Sequence, residues 1–590
     1  MVNPFIGDES SLLQLSSGVV AEQAVASDLL NAKDDGEKLF LQFVSTRVQS
    51  NSVKFSETLK KRNVLTFGTV RKKKVTKAAG REITMKAGNK LFARLLLVGN
   101  VRKIQLKEML KYNLKLVPPA ISSLQGTLVK TNKATLLHYI EGAVENPLVD
   151  VVPEGSVWVL DGLVMFQQLR NRDIPEKFGD LAIFLLTRII RLAKQHHSNE
   201  IHFVTDRYPE MSIKNAERGK RAATGSERIN IYGRGQPVPK QWRKYLADGK
   251  NKERLVEFLF EEWSKCPVAL YEGVTLFVAH GETCHALRGE GNEIDMVPIP
   301  SLRCDHEEAD TRMLLHAHYA ASHSAVVVIK SVDTDVFIIS LGMSKQFSSR
   351  LLFHTGTGTK VRTIDLQAIR SQIGDDITHA LIGLHAITGC DSVSGFYGKG
   401  KVKAAKLLFK EQAYQQSLGE LGMQHEVSED LCARLDSFVC HLYGQSACAD
   451  VNDARFNLFR LGKHSEELLP PTNDSLGKHI LRANYQAAVW RRSLEQAQDL
   501  PGPVGNGWQL SDDGALEIHW CDLPCAPESV LMTVQCSCKT GGCGSATGRR
   551  SSAACGCMKD KLPCTTMCQC QGCTNNQEQE LPEDEIDDSG

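Results

Sequence analysis

From residue 156 onward, short apolar runs alternate with longer stretches in which apolar positions recur every third or fourth residue. The runs are VWVL (157–160), IHFVT (201–205), AVVVIKSV (325–332) and VFIIS (336–340), and amphipathic segments lie near 180–195 and from about 306. Near-continuous apolar runs of this length predict strands buried on both faces, and the helical period predicts the elements that cover them. The expected fold class is α/β, a mostly parallel sheet flanked by helices. We place this region at 150–495, with LPGPVGNG opening a linker over 500–530. Upstream, LLNAKDDGEKLFLQFV gives residues 1–51 a helical pattern. The periodicity of LFARLLLVGNVRKIQLKEMLKY predicts a helical accessory region over 52–148, broken at Pro118 and Pro119. At 590 residues the chain is too long for one core.

Charge changes this picture more than composition does. The net charge of +1 conceals 18 Lys and Arg against 3 Glu between Lys54 and Lys115, and an acidic tail over 577–590. A basic block of this kind is either a solvated helical surface or the footprint of a polyanionic partner, most commonly nucleic acid. RKKKVTK, from Arg71 to Lys77, fits a nuclear import signal. The start, MVNPFIGDES, has no basic segment followed by an apolar one, and LAIFLLTRIIRLA is interrupted by Arg188 and Arg191. Neither a signal peptide nor a membrane span is expected.

Acidic residues recur where the predicted strands end. Asp161 follows VWVL, Asp206 follows IHFVT, and Asp333 and Asp335 follow AVVVIKSV. Asp305, Glu307, Glu308 and Asp310 open the helix from about 306, and Asp391 sits in TGCDSVSG. Singly, each has a structural explanation: a capping box at Asp305, carboxylates favoured by a helix dipole, a turn at Asp391. Jointly, at the carboxyl ends of parallel strands, they form a set of hard oxygen ligands suited to Mg2+ or Mn2+. One or two such ions can clamp the attacking and leaving oxygens of a phosphodiester.

On these residues the region from 157 to about 410 resembles the PIN-like nuclease fold of the flap endonuclease family. VWVLDG is similar to its first strand and acid. IHFVTDRYPEMSIKNAERGKR is similar to its second, with Lys214, Lys220 and Arg221 in the places of its phosphate-gripping cations. Its Glu-Ala-Glu element appears as Glu308-Ala309-Asp310, its Asp-x-Asp element as Asp333-Thr334-Asp335, and its Gly-x-Asp element as Gly389-Cys390-Asp391. GFYGKGKVKAAKLL resembles the helix-two-turn-helix that follows (389–411), with Gly398, Lys399, Gly400, Lys401 and Lys403 as candidate DNA-backbone contacts. The resemblance implies metal-assisted hydrolysis. Asp161, Asp206, Glu308, Asp310, Asp333, Asp335 and Asp391 would ligate metal, and Lys214, Lys220 and Arg221 would stabilise charge on the phosphate. Two departures stand out: Asp310 replaces a glutamate, and about 155 residues precede the domain.

The cysteines add a second module. Nine run as Cys536, Cys538, Cys543, Cys555, Cys557, Cys564, Cys568, Cys570 and Cys573, within 531–576, among small, polar and basic residues that supply almost no apolar core. Metal must fold such a segment. Three tetrahedral Zn2+ need twelve ligand positions, which nine thiolates fill if three bridge. The spacing resembles the CXC zinc module of tesmin-like proteins, although Ala554 stands where that family has a DNA-reading tyrosine. The whole reading is a Mg2+- or Mn2+-dependent, structure-selective nuclease acting on DNA in preference to RNA, with a zinc module aiding association. The competing reading is a catalytically inactive, mobile-element-derived nucleic-acid-binding or scaffold protein. Seven retained acids favour the enzyme.

Overall fold

The computed structural model describes residues 23–50, 52–53, 55, 73–78, 81–86, 105–123, 126–209, 212–213, 228–462, 466–511 and 514–526. A hairpin of β1 (Lys73–Ala78) and β2 (Arg81–Lys86) stands inside the basic block; of the periodic stretch 91–112, residues 91–104 lie outside the described residues and Leu106–Met109 is helical. The main body is an α/β structure around eight strands: β3 (Val157–Asp161), β4 (Glu200–Val204), β5 (Thr275–His280), β6 (Thr283–Glu290), β7 (Glu293–Pro298), β8 (Val326–Lys330), β9 (Arg350–Thr355) and β10 (Arg362–Asp365). Their order is β10-β9-β8-β3-β4-β5-β6-β7. The five strands from β9 to β5 in that order are parallel, and β10, β6 and β7 extend the sheet antiparallel. This is the mostly parallel, helix-flanked sheet that the alternating pattern predicts.

Side chains alternate across a strand, and β3 divides the interior accordingly. Val157 and Val159 face one core with Val327 and Ile329. Trp158 and Leu160 face the other with Ile201, Phe203 and Val328. The helix Phe178–Gln195 covers the second face through Leu181, Leu185 and Ile189, one turn apart and fully buried. Each contributes roughly 1.5–3 kcal/mol of burial. The helices Ala309–Ala321, Thr334–Met343 and Asp375–Ile387 cover the first.

Three expectations are corrected. VFIIS (336–340) is helical, inside Thr334–Met343, because Asp333 caps that helix and neighbours bury it on all sides. A short apolar run does not distinguish a buried strand from a buried helix. The boundary at 148–150 does not separate two units: Leu110, Ile121, Leu136 and Ile140 share a core with β3 and β8, and Arg362 pairs with Glu141 at 2.6 Å. Within the span expected as a linker, 500–530, the described residues up to Ala526 include a hairpin of β11 (Trp508–Leu510) and β12 (Leu516–Ile518) whose Trp508 and Ile518 enter that core. Among the described residues no helix is long and apolar enough to cross a membrane.

Residues 1–22, most of 51–72, and 527–590 lie outside the described residues. The acidic tail and all nine cysteines of the zinc pattern are therefore outside them. So are Lys214, Lys220 and Arg221.

Candidate active site

The chain leaves β3 for β4 and β5 on one side, then returns through β8 to the other side of β3. Strand order reverses at β3, and in open α/β sheets the crevice outside the carboxyl ends at such a point is where ligands bind. Asp161 ends β3 and caps the helix Gly162–Gln167, its Oδ1 accepting from the Leu163 and Val164 amides at 3.0 and 3.1 Å. Gly162 permits the turn: a Cβ there would lie 2.6 Å from the Phe203 ring. Asp206, just past β4, accepts from the Ala309 amide at 2.8 Å and so ties that strand end to the start of the helix carrying Asp310. Past β8, Asp333 caps the next helix through the Asp335 amide at 2.9 Å. Ser331 donates to Asp161 Oδ2 at 3.3 Å and accepts from the Asp333 amide at 3.1 Å.

Asp161, Asp206, Asp310, Asp333 and Asp391 line one cleft of about 530 Å3 together with Lys133 and Lys252. Oxygens of Asp310, Asp333 and Asp335 lie within 4.8 Å of one another. Asp335 sits beneath, 1% exposed. Glu308 holds the N-cap position of Ala309–Ala321 and lines a neighbouring pocket with Arg207, Ser212 and Glu307. The capping box suggested for Asp305 does not form, because Asp305 accepts from the Gln498 amide instead.

The electrostatics follow from burial and crowding. Burial pushes the Asp161 carboxyl up to about 7, with Asp206 and Asp333 adding to the rise. Asp333 rises to about 6 through burial and the neighbouring Asp335. Asp335 goes the other way. Burial opposes its ionisation, but Lys133 at 2.7 Å and His385 at 2.8 Å outweigh that and hold it well below the usual carboxylate range. Lys133 also reaches Asp391 Oδ1 at 2.6 Å, and despite burial these carboxylates raise its pKa above the ordinary lysine value. The donor set is all hard oxygen, and burial and neighbouring carboxylates disfavour the charge of two of its members, which a cation would relieve, so the residues fit Mg2+ or Mn2+.

Beyond Asp391, the chain runs through a loop to the helix Lys401–Lys410. Gly389 opens that loop at φ +106°, where a Cβ would lie 2.6 Å from the Gly395 amide. Gly398, Gly400 and Lys403 are exposed, and Lys399 is half-buried with its ammonium 4.5 Å from the Tyr443 ring centroid. Lys401 is corrected as a nucleic-acid contact: it is fully buried, donating to the His385 carbonyl and to Thr388 Oγ1, both at 2.9 Å. Burial lowers its pKa to about 7.

Lys133, His385 and Ser331 escaped the sequence reading. Lys133 lies 202 residues from Asp335, beyond any local pattern, and a histidine within an apolar helix resembles a core residue. Ser331 alone had a signal, lying between a strand and Asp333.

The chain matches no protein-family model and no curated protein. Among solved structures it is similar to the catalytic core of Rad2 in complex with DNA substrate. One such complex overlaps at TM-score 0.29 and 10% identity, over 62% of this chain and 88% of that chain. Another overlaps at TM-score 0.27 and 12% identity, over 56% and 75%.

Proposed function

We propose that this protein is a Mg2+- or Mn2+-dependent nuclease that hydrolyses phosphodiester bonds in nucleic acid, DNA in preference to RNA. The observation that carries this is the convergence of Asp161, Asp310 and Asp333 at the strand-order reversal, with the Asp161 and Asp333 carboxyls pushed up to about 7 and 6. Asp161, Asp310, Asp333 and Asp335 would hold the ion, with Asp206 at the cleft wall. A bound divalent ion supplies Lewis-acid stabilisation of phosphate charge and lowers the pKa of a water. The rest is positioning by the chain. Ala309 and Ser331 orient Asp206 and Asp161, and Lys133 fixes Asp335 against Asp391. Because Lys133 already neutralises part of this set, the site favours one principal ion over two. Lys399, in the loop before the helix Lys401–Lys410, and Lys403, exposed on that helix, would contact the nucleic-acid backbone, and the nine-cysteine segment would hold about three Zn2+ and add affinity.

The test is incubation of the full chain with flapped, branched and linear DNA and RNA in Mg2+ or Mn2+, beside Asp310→Asn/Asp333→Asn. Cleavage by the parent, reduced by at least about 100-fold in the variant, is expected. No cleavage by the parent, or equal cleavage by both, sinks the proposal. Lys133 also favours a second reading, a nucleic-acid-binding protein without catalysis whose carboxylates are neutralised from within. That reading predicts binding without cleavage under every metal condition.

A further inference from the structure

A second cavity, of about 650 Å3, opens where β3, β8 and β9 end against the helix Phe178–Gln195, and Asp161, Val164 and Val332 line both it and the acid cleft. Its charge is opposite. Arg170, Arg188, Arg191 and Lys330 line it, with His354 beside them and Asp173 as its other acid.

Among the described residues, none of those four cations makes an ion pair or a side-chain hydrogen bond, while Asp173 is already paired with Arg172 at 3.6 Å. Lys330 ends β8 with its ammonium 5.9 Å from the Trp158 ring centroid. Burial and then Arg188 lower its pKa. Burial followed by Lys330 lowers those of His196 and His354 as well. Arg170, Arg188 and Arg191 are exposed and Lys330 is half-buried, so solvent screens their mutual repulsion only in part, and an anion held among them would relieve it. The volume is in the range of small-molecule sites.

We infer that this cavity binds a phosphate monoester, either the phosphorylated end of a nucleic-acid strand or a free nucleoside monophosphate. A monoester carries about −1.5 to −2 charge at pH 7 and offers three acceptor oxygens, matching a four-cation pocket better than an internal diester with one charge. The strand-end form rests on the nuclease reading, since the shared wall at Asp161 would place the adjoining linkage toward the acid cleft. The anion site itself does not depend on cleavage.

The experiment uses the full, zinc-loaded chain without added Mg2+ or Mn2+, where hydrolysis is not expected. Fluorescence anisotropy compares short single-stranded DNA carrying a terminal phosphate at either end with the same strand ending in hydroxyls, and adenosine 5′-monophosphate with adenosine serve as competitors. A terminal phosphate is expected to tighten binding by about tenfold, the scale of one or two charge-assisted hydrogen bonds. Lys330→Gln should reduce that preference to below about threefold, as should Arg188→Gln, whose exposed position leaves the fold intact. Displacement by the monophosphate but not by adenosine supports a site open to free mononucleotides. Discrimination confined to the oligonucleotides supports a strand-end site. Equal affinity with and without the phosphate in both arms overturns the inference, as does discrimination that survives both substitutions. Neither result requires the protein to cleave anything, so failure here is distinct from failure of the nuclease reading.

Discussion

Replacing Asp161 by Asn tests the electrostatics of the cleft without disturbing its shape. The Asp161 carboxyl is pushed from 3.8 to about 7, by burial first and then by Asp206 and Asp333. Between those values the folded chain holds a proton that the unfolded chain has released. Asp161 therefore subtracts about 1.4 kcal/mol of stability for each pH unit gained, reaching about 4 kcal/mol above pH 7. Asparagine does not titrate, has nearly the same volume and is an equally good N-cap. In metal-free buffer the Asp161→Asn variant should match the wild type near pH 4 and exceed it by up to about 4 kcal/mol near pH 8. Buried histidines such as His202 and His385, whose pKa values are lowered mainly by burial, act with the opposite sign as pH falls, but both chains share them and they cancel in the difference. Asp335 is held low, so its contribution is lost only on acidification below the usual carboxylate range, outside this window. Urea unfolding of both chains at stepped pH, in EDTA and then in saturating Mg2+, reads the effect. Mg2+ should close or invert the gap, because the ion relieves the repulsion that substitution removes. A stability difference that stays constant with pH in EDTA would refute the burial-and-crowding account, and a pH-dependent gap indifferent to Mg2+ would remove Asp161 from the ligand set.

Lys133→Met should cost about 3 kcal/mol by stranding Asp335, and adding Asp335→Asn should recover most of it, as measured by a double-mutant cycle in urea; an additive cycle would contradict the coupling. Lys403→Ala should lower the salt dependence of DNA binding by about one unit of slope at unchanged stability, whereas Lys401→Ala should cost about 1.5–3 kcal/mol and leave the slope alone. Identical effects of the two would undo their assignment to outside and inside. Elemental analysis of the purified full chain should find about three zinc ions, and fewer than two would contradict a bridged thiolate cluster.

The sheet was legible because β3, β4 and β8 are central and buried on both faces, so each reads as an unbroken apolar run. Five strands were missed: β6 and β7 carry His285, Arg288, Glu290 and Asp295 on partly exposed positions and dilute the signal, while β5, β9 and the four-residue β10 are flanked by polar residues that shorten their apolar runs. The acids at strand ends were legible for the reason the topology was, since a parallel strand delivers its last residue to the crevice. Their environment was not. Nothing near Lys133 announces that it meets Asp335 and Asp391, and nothing in GKGKVK distinguishes the buried Lys401 from the exposed Lys403 except the three-dimensional packing under Thr388. Likewise, Trp508 and Trp520 were the available hint that 500–530 docks, overshadowed by the glycines and prolines around them.

The Leu114 amide donates to the Cys525 carbonyl at 2.8 Å, so the described body begins and ends at adjoining points. A domain whose termini meet tolerates being cut elsewhere and rejoined there. Here it means that an excised piece beginning at residue 150 discards a wall of the interior along with Lys133, and that the smallest autonomous unit runs from about residue 105 to Ala526. The basic segment precedes this unit in the chain and the cysteine segment follows it. A circular permutant joining these two points, with new ends in an exposed loop, would keep the cleft while removing both appendages at once.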